Sequence, residues 1–155
     1  MKKYILPVTA VLVLLAMLAS CGKGTAENAN IKEVYLKITE SVSMPKETVE
    51  LNVNDLTDYY GIKAEKVVEF AAVQDTCGYK DEIVIIKAAD DASAKEIEAL
   101  LNEHIEYQRD SMRNYDPSQY DILTSSEVIT RGVYVAMFIS AEQSTMSEIY
   151  NGFFK

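Results

Sequence analysis

The spacing of hydrophobic positions changes character several times along the chain, and each change predicts an element. Ile5 to Ala19 is apolar except at Pro7 and Thr9. After a polar stretch, Ile31, Val34, Tyr35, Ile38 and Val42 recur at helical spacing, with Asn30 placed to cap and Glu33 to complete a capping box. That helix should stop near Ser43, ahead of Pro45. "ETVELNVND" (47–55) has no clear period. Asn54 can cap a short helix with Leu56, Tyr59 and Tyr60 inward, which Gly61 would end in a left-handed conformation. The period then shortens. "KVVEFAAV" (66–73) and "DEIVIIKA" (81–88) predict paired strands around the loop "QDTCGYK". Ile83 to Ile86 is continuously apolar, as expected of a strand covered on both sides or central in its sheet.

The clearest helix runs from Asp90 to Arg113. Ser93 and Glu96 match a capping box, and Asp90-Asp91 cap or precede it; Ile97, Leu101, Ile105, Gln108 and Met112 form one stripe. Asp116-Pro117 predicts a turn. "SEVIT" and "VYVAMFIS" predict a second strand pair joined at Arg131-Gly132. Ser140 and Gln143 can cap a last helix that buries Met146, Ile149, Tyr150 and Phe153. Strand-strand-helix thus occurs twice after Lys66. The expected fold is α+β: a two-layer domain with a mainly antiparallel four-stranded sheet and helices packed on one face, preceded by N-terminal helices.

The apolar run at 5–19 follows Lys2 and Lys3 and is short for a bilayer span, which takes about 20 residues. It has the form of a signal-peptide core. Leu18-Ala19-Ser20-Cys21 resembles the bacterial lipobox. That resemblance implies a diacylglyceryl group on the Cys21 thiol, cleavage before Cys21 and acylation of the new amino terminus. Two or three acyl chains anchor far better than one, at about 0.8 kcal/mol per buried methylene. The expected organisation is a lipoprotein signal peptide at 1–20, a flexible tether at 21–30 and a single domain at 31–155. The tether would hold the domain within about 30 Å of the membrane.

Removal of 1–20 leaves 135 of the 155 residues, and loss of Lys2 and Lys3 takes the formal charge from −9 to −11. An acidic surface excludes nucleic acid as the expected partner, because phosphate binding requires Lys and Arg clusters. With Cys21 alkylated, Cys77 has no intrachain disulfide partner.

Candidate chemistry is sparse. His104 is the single histidine and falls beside the buried stripe, next to Leu101 and Ile105, where a histidine flanking the core is the ordinary reading. A Cys77–His104 thiol pair is conceivable, but no orienting residue or nucleophile elbow accompanies it. "NVNDLTD" offers oxygen ligands but fails the EF-hand pattern at its sixth and twelfth positions. No catalytic, cofactor-binding or metal-binding residues are therefore assigned, and no cofactor is expected. Tyrosine is frequent and tryptophan absent: Tyr59, Tyr60, Tyr79, Tyr107, Tyr115 and Tyr120 fall near loops and helix edges, where phenols either close a small core or form an interface.

Three segments together carry a family resemblance: "DLTDYYGI" (55–62), "DEIVIIKAAD" (81–90) and "YDPSQYDILTSSEVITRGVYVAMFIS" (115–140). They resemble the DUF4358 domain of uncharacterised bacterial lipoproteins, over roughly Ile31 to Phe154. The resemblance implies lipoprotein status and brings no activity or site residues with it. The functional expectation is a lipid-anchored protein on the extracytoplasmic face of the cell membrane, held there through acylated Cys21. It would be a non-enzymatic binding module for an envelope protein or wall component. The second expectation is a small extracytoplasmic hydrolase.

Overall fold

The computed structural model describes residues 29–76 and 81–154. The expected signal peptide, Cys21 and most of the tether, together with Cys77 and Tyr79, lie outside these residues. Helix α1 (Ile31–Ser41) begins at Asn30, whose side chain accepts the Glu33 amide at 3.2 Å. It buries Ile31, Val34 and Ile38. Strand β1 (Thr48–Glu50) leads into α2 (Val53–Tyr60). A 3-10 turn, Ala64–Lys66, precedes β2 (Val67–Asp75) and β3 (Glu82–Ala88). Then follow α3 (Asp91–Met112), α4 (Pro117–Ser125), β4 (Val128–Arg131), β5 (Tyr134–Ile139) and α5 (Gln143–Gly152).

The caps explain several boundaries. Asn52, not Asn54, caps α2 in a reciprocal box with Asp55. Gly61, at φ 71°, closes the helix, with its amide bonded to the Thr57 carbonyl and that of Ile62 to Leu56. Asp90 caps α3 by accepting the Ser93 amide at 2.7 Å. Glu96, free of that task, instead pairs with Lys66. Asp116-Pro117 opens α4 rather than making a simple turn: Asp116 accepts the amides of Ser118 and Gln119, and proline occupies a position whose amide a helix start does not need. Ser140 stands just outside α5: its hydroxyl accepts the amide of Glu142 at 3.2 Å, and Glu142, not Ser140, is the residue at which the helix starts, its carboxylate accepting the Ser43 amide at 2.9 Å and tying the end of α1 to α5.

The expected α+β, antiparallel architecture is present. Among the described residues the sheet has one strand more than expected, in the order β1-β2-β3-β5-β4, with every adjacent pair antiparallel. The added strand is the aperiodic segment at Thr48–Glu50, all three residues of which are exposed. An edge strand that buries nothing has no alternation to display.

The helices cover both faces of the sheet, where the sequence reading placed them on one. Val84 and Ile86 of β3, with Val135, Met137 and Ile139 of β5, pack with α2, α3 and α4 through Leu56, Ile97, Leu101 and Leu123. Ile83 and Ile85, with Tyr134, Ala136 and Phe138, pack on the opposite side with α1 and α5 through Val34, Ile38, Met146 and Tyr150. Two separate cores result, each supporting one side of β3 and β5. Rings of Tyr134, Phe138, Tyr150 and Phe154 meet in tilted and edge-to-face contacts in the second core.

Adjacent substitutions on β3 test this arrangement. Ile85→Ala and Ile86→Ala empty opposite cores, and both isoleucines are fully buried. Each should lower unfolding free energy in urea by about 2–5 kcal/mol. A single-face sheet would leave one of the two nearly neutral.

Candidate functional site

Strand β3 begins with an acid. Glu82 shares its side of the strand with Val84, Ile86 and Ala88, so its carboxylate is directed to the first core and is fully buried. A buried carboxylate is costly unless donors surround it. Three do, each from a different turn of helix. Tyr60, the last residue of α2, donates its hydroxyl to Oε2 at 2.9 Å. His104, on α3, brings Nε2 to 3.0 Å from the same oxygen. Gln108, one turn further along α3, donates its amide to Oε1. Gln108 Nε2 also lies 2.7 Å from His104 Nε2. The Tyr60 and His104 rings meet edge to face with centroids 4.6 Å apart.

The local sequence sets each position. Gly61 terminates α2 immediately after Tyr60 and so holds the phenol at the helix end. The i, i+4 spacing of His104 and Gln108 puts them on one face of α3, beside buried Leu101 and Ile105. Burial, and then the negative charge and hydrogen bond of Glu82, raise the Tyr60 phenol well above its ordinary value near 10.0.

Only one side of this cluster meets solvent. Glu82 has no exposure and the His104 side chain keeps 14%. Above them lies a groove of about 320 Å³ lined by Tyr59, Gln74, His104, Tyr107, Gln108 and Met112, among others. A smaller recess of about 220 Å³ on the Leu100 side shares Tyr59, His104 and Tyr107. Tyr59 and Tyr107 are 50% and 75% exposed, so their rings stand as walls with the histidine between them. Tyr115 is more exposed still, but lines neither groove.

Of the residues singled out in the sequence, His104 does flank the core, Tyr60 faces inward as expected and binds the carboxylate, and Tyr59, expected inward, is instead half exposed because its neighbour Tyr60 takes the buried side of the helix. Tyr120 packs its ring under Arg113, 5.9 Å from the guanidinium. Asp90 is a helix cap, and its carboxyl is held below the usual carboxylate range by hydrogen bonds from Ser93. Glu82 was missed. Its signal was parity: it is in phase with Val84 and Ile86 in a strand with no polar face. Gln108, in the apolar stripe of α3, was the complementary signal. Among the described residues, no group of three or more His, Cys, Asp or Glu side chains gathers as a metal site.

The model of the family described as "Domain of unknown function (DUF4358)" matches residues 40–140, more than half of the 155. The chain belongs to the DUF4358 family. No curated protein and no solved structure matches it. The DUF4358 match includes Tyr60, Glu82, His104 and Gln108, so the whole carboxylate cluster lies inside the family's extent. It leaves most of α1 and all of α5 outside, and with them much of the second core.

The Tyr60 phenol makes the cluster readable by alkaline titration. Its raised value favours the protonated form in the folded chain. Its contribution is therefore complete below the unfolded value near 10 and is lost as pH rises beyond it, because the unfolded chain releases the proton and the folded one keeps it. Each such tyrosine should steepen the alkaline fall of unfolding free energy by about 1.4 kcal/mol per pH unit. Buried Tyr150 contributes in the same sense. Tyr60→Phe should remove one such increment above pH 10. At neutral pH it should cost about 1–3 kcal/mol for the lost bond to Glu82. Denaturation series at neutral and alkaline pH measure both effects, and an unchanged alkaline slope would contradict the assignment.

Proposed function

We propose that the chain is a lipid-anchored, extracytoplasmic binding module whose ligand face is the tyrosine-walled groove over His104. The anchor reading rests on the sequence: an apolar run after Lys2 and Lys3, ending in a lipobox-type Leu18-Ala19-Ser20-Cys21. The binding reading rests on one observation above all. Glu82, with no exposure, engages His104 Nε2 directly, and Gln108 lies against the same nitrogen. The imidazole is thereby immobilised as a wall, and Glu82 has no path to a substrate.

Such a surface suits recognition more than turnover. Tyr59 and Tyr107 present broad rings with little conformational freedom to lose, and their hydroxyls stay wet. Met112 adds an adaptable apolar contact and Gln108 a polar one. The fitting ligand has a flat, weakly polar face to lie between the two rings and hydrogen-bonding groups at its rim. An exposed portion of an envelope protein or of a wall component meets that description.

The hydrolase reading has one feature in its favour: an imidazole and a carboxylate 3.0 Å apart, the pairing that orients a general base. It also needs a nucleophile at the other imidazole nitrogen, for which Cys77 is the residue named by the sequence.

Membrane fractionation joined to site-specific photocrosslinking in intact cells tests the proposal in two separable parts. Wild-type chain should partition with membranes and carry the mass of acyl chains, and Cys21→Ser should be released and lack it. A photoreactive residue at position 107 should give a discrete adduct on the outer face. Tyr59→Ala should diminish that adduct at least tenfold without changing the circular dichroism spectrum. Membrane retention of Cys21→Ser and an unacylated wild type would overturn the anchor. An adduct indifferent to Tyr59→Ala would overturn the groove. A hydrolytic activity lost in Cys77→Ala and His104→Ala would favour the alternative.

A further inference from the structure

A second surface, remote in character from the tyrosine groove, is formed where the sheet is left incomplete. Strand β2 has nine residues and β1 only three. Thr48, Val49 and Glu50 pair with Asp75, Gln74 and Val73, and the Leu51 amide makes a last rung to the Ala72 carbonyl at 2.9 Å. The chain then turns away into α2 at its Asn52 cap. Backbone groups on an antiparallel strand face the same neighbour at every second residue. The amide and carbonyl of Phe70 therefore point the same way as the Ala72 carbonyl, past the end of β1, where no further strand follows among the described residues. Exposed edges of this kind are templates for another strand.

The open edge borders a groove of about 450 Å³ under α1. Tyr35 and Leu36 of α1 and Phe70 of β2 provide its apolar lining, with Glu50 and Glu69 at the rim and Lys32 at one end. Leu36, Val49 and Val68 are exposed by 45%, 44% and 63%, extending the apolar surface beyond it. The negative charge acts on the groove itself: the Tyr35 phenol is raised first by partial burial and next by the Glu50 carboxylate. A register shift between Val67 and Glu69 interrupts the ladder at the far end, so the usable edge is short.

We propose that this edge of β2 binds an extended segment of a partner protein, which adds as a short sixth strand. One of its apolar side chains enters the groove beside Tyr35 and Leu36, a neighbouring one meets Phe70 on the other face of the sheet, and its flanking Lys or Arg residues meet Glu50 and Glu69. The main chain supplies the hydrogen bonds and the pocket and rim supply the selectivity, as in other strand-addition modes. Charge and size exclude two other occupants. A second copy pairing antiparallel about Phe70 would set each Glu69 opposite Ala71 and diagonal to the other Glu69 on the same face, between chains of formal charge −9. The chain's own residues 22–28, "GKGTAEN", contain nothing apolar larger than alanine to fill the groove.

The test is an NMR titration of the isotope-labelled full chain in detergent micelles with the capped peptide KVTVTVK. Binding should be saturable and should slow hydrogen exchange of the Phe70 amide. The same peptide N-methylated at alternate residues should bind at least tenfold more weakly. The double variant Glu50→Lys/Glu69→Lys changes only exposed side chains. It should lose at least tenfold in affinity for KVTVTVK and prefer EVTVTVE. Four outcomes would overturn the proposal. In the first, affinity is equal for the N-methylated peptide. In the second, the shifts centre on Tyr59 and Tyr107 with none at Phe70. In the third, Phe70 is protected without peptide in a concentration-dependent dimer. In the fourth, that protection disappears when residues 22–28 are deleted. Because the Tyr59 and Phe70 resonances are read separately, failure here leaves the tyrosine-groove proposal to its own test.

Discussion

A strand with no polar face is stable only where both of its faces are dry. Strands β3 and β5 are two such strands, side by side at the interior of the sheet, and the architecture follows from covering them. The long helix α3, with α2 and α4, covers one face, and α1 and α5 cover the other. Neither core is closed by one contiguous stretch of chain. Helices from opposite ends of the domain meet on the second face, held together at one point by the Glu142 carboxylate on the Ser43 amide. The edge strands β1 and β4, by contrast, are short and partly or wholly exposed.

The same dryness gives Glu82 its significance. One step along β3 from Ile83, on the side facing α3, the chain carries a carboxylate into the core. Its cost is offset by hydrogen bonds drawn from α2 and α3, so the cluster ties together three elements distant in sequence. A network satisfied in this way specifies geometry more than it adds stability, because its bonds replace bonds to water. What it specifies is the angle at which α2 ends against α3. Tyr59 and Tyr107 stand on those two helices, so the separation of the groove walls depends on a carboxylate that no ligand can touch.

The molecule thus presents two unlike surfaces. One is aromatic, set by a buried polar cluster, and adjoins His104. The other is a main-chain edge of β2 with an acidic rim. Under the proposed anchoring, an acidic chain would be repelled by anionic lipid.

Much of the fold was legible because local signals agreed. The helix at 31–41, the ending of α2 at Gly61, the two strand pairs and the long α3 all follow from period, caps and turns. The continuous run Ile83–Ile86 fitted a strand covered on both sides or central in its sheet, and β3 is both, although the helices were assigned to one face. Strand β1 carried no signal because an exposed edge has no buried side. Helix α4 was hidden because Asp-Pro begins helices as readily as turns, and only a core awaiting Leu123 decides between them. Sequence by itself determined most of the element types and the acidic charge balance, since each depends on composition or on neighbours along the chain. Tertiary structure alone decided which faces the helices cover, that Glu82 meets Tyr60, His104 and Gln108, and that β2 outruns β1. Those are contacts between segments tens of residues apart, selected by the requirement that apolar surface be covered and buried polar atoms be paired.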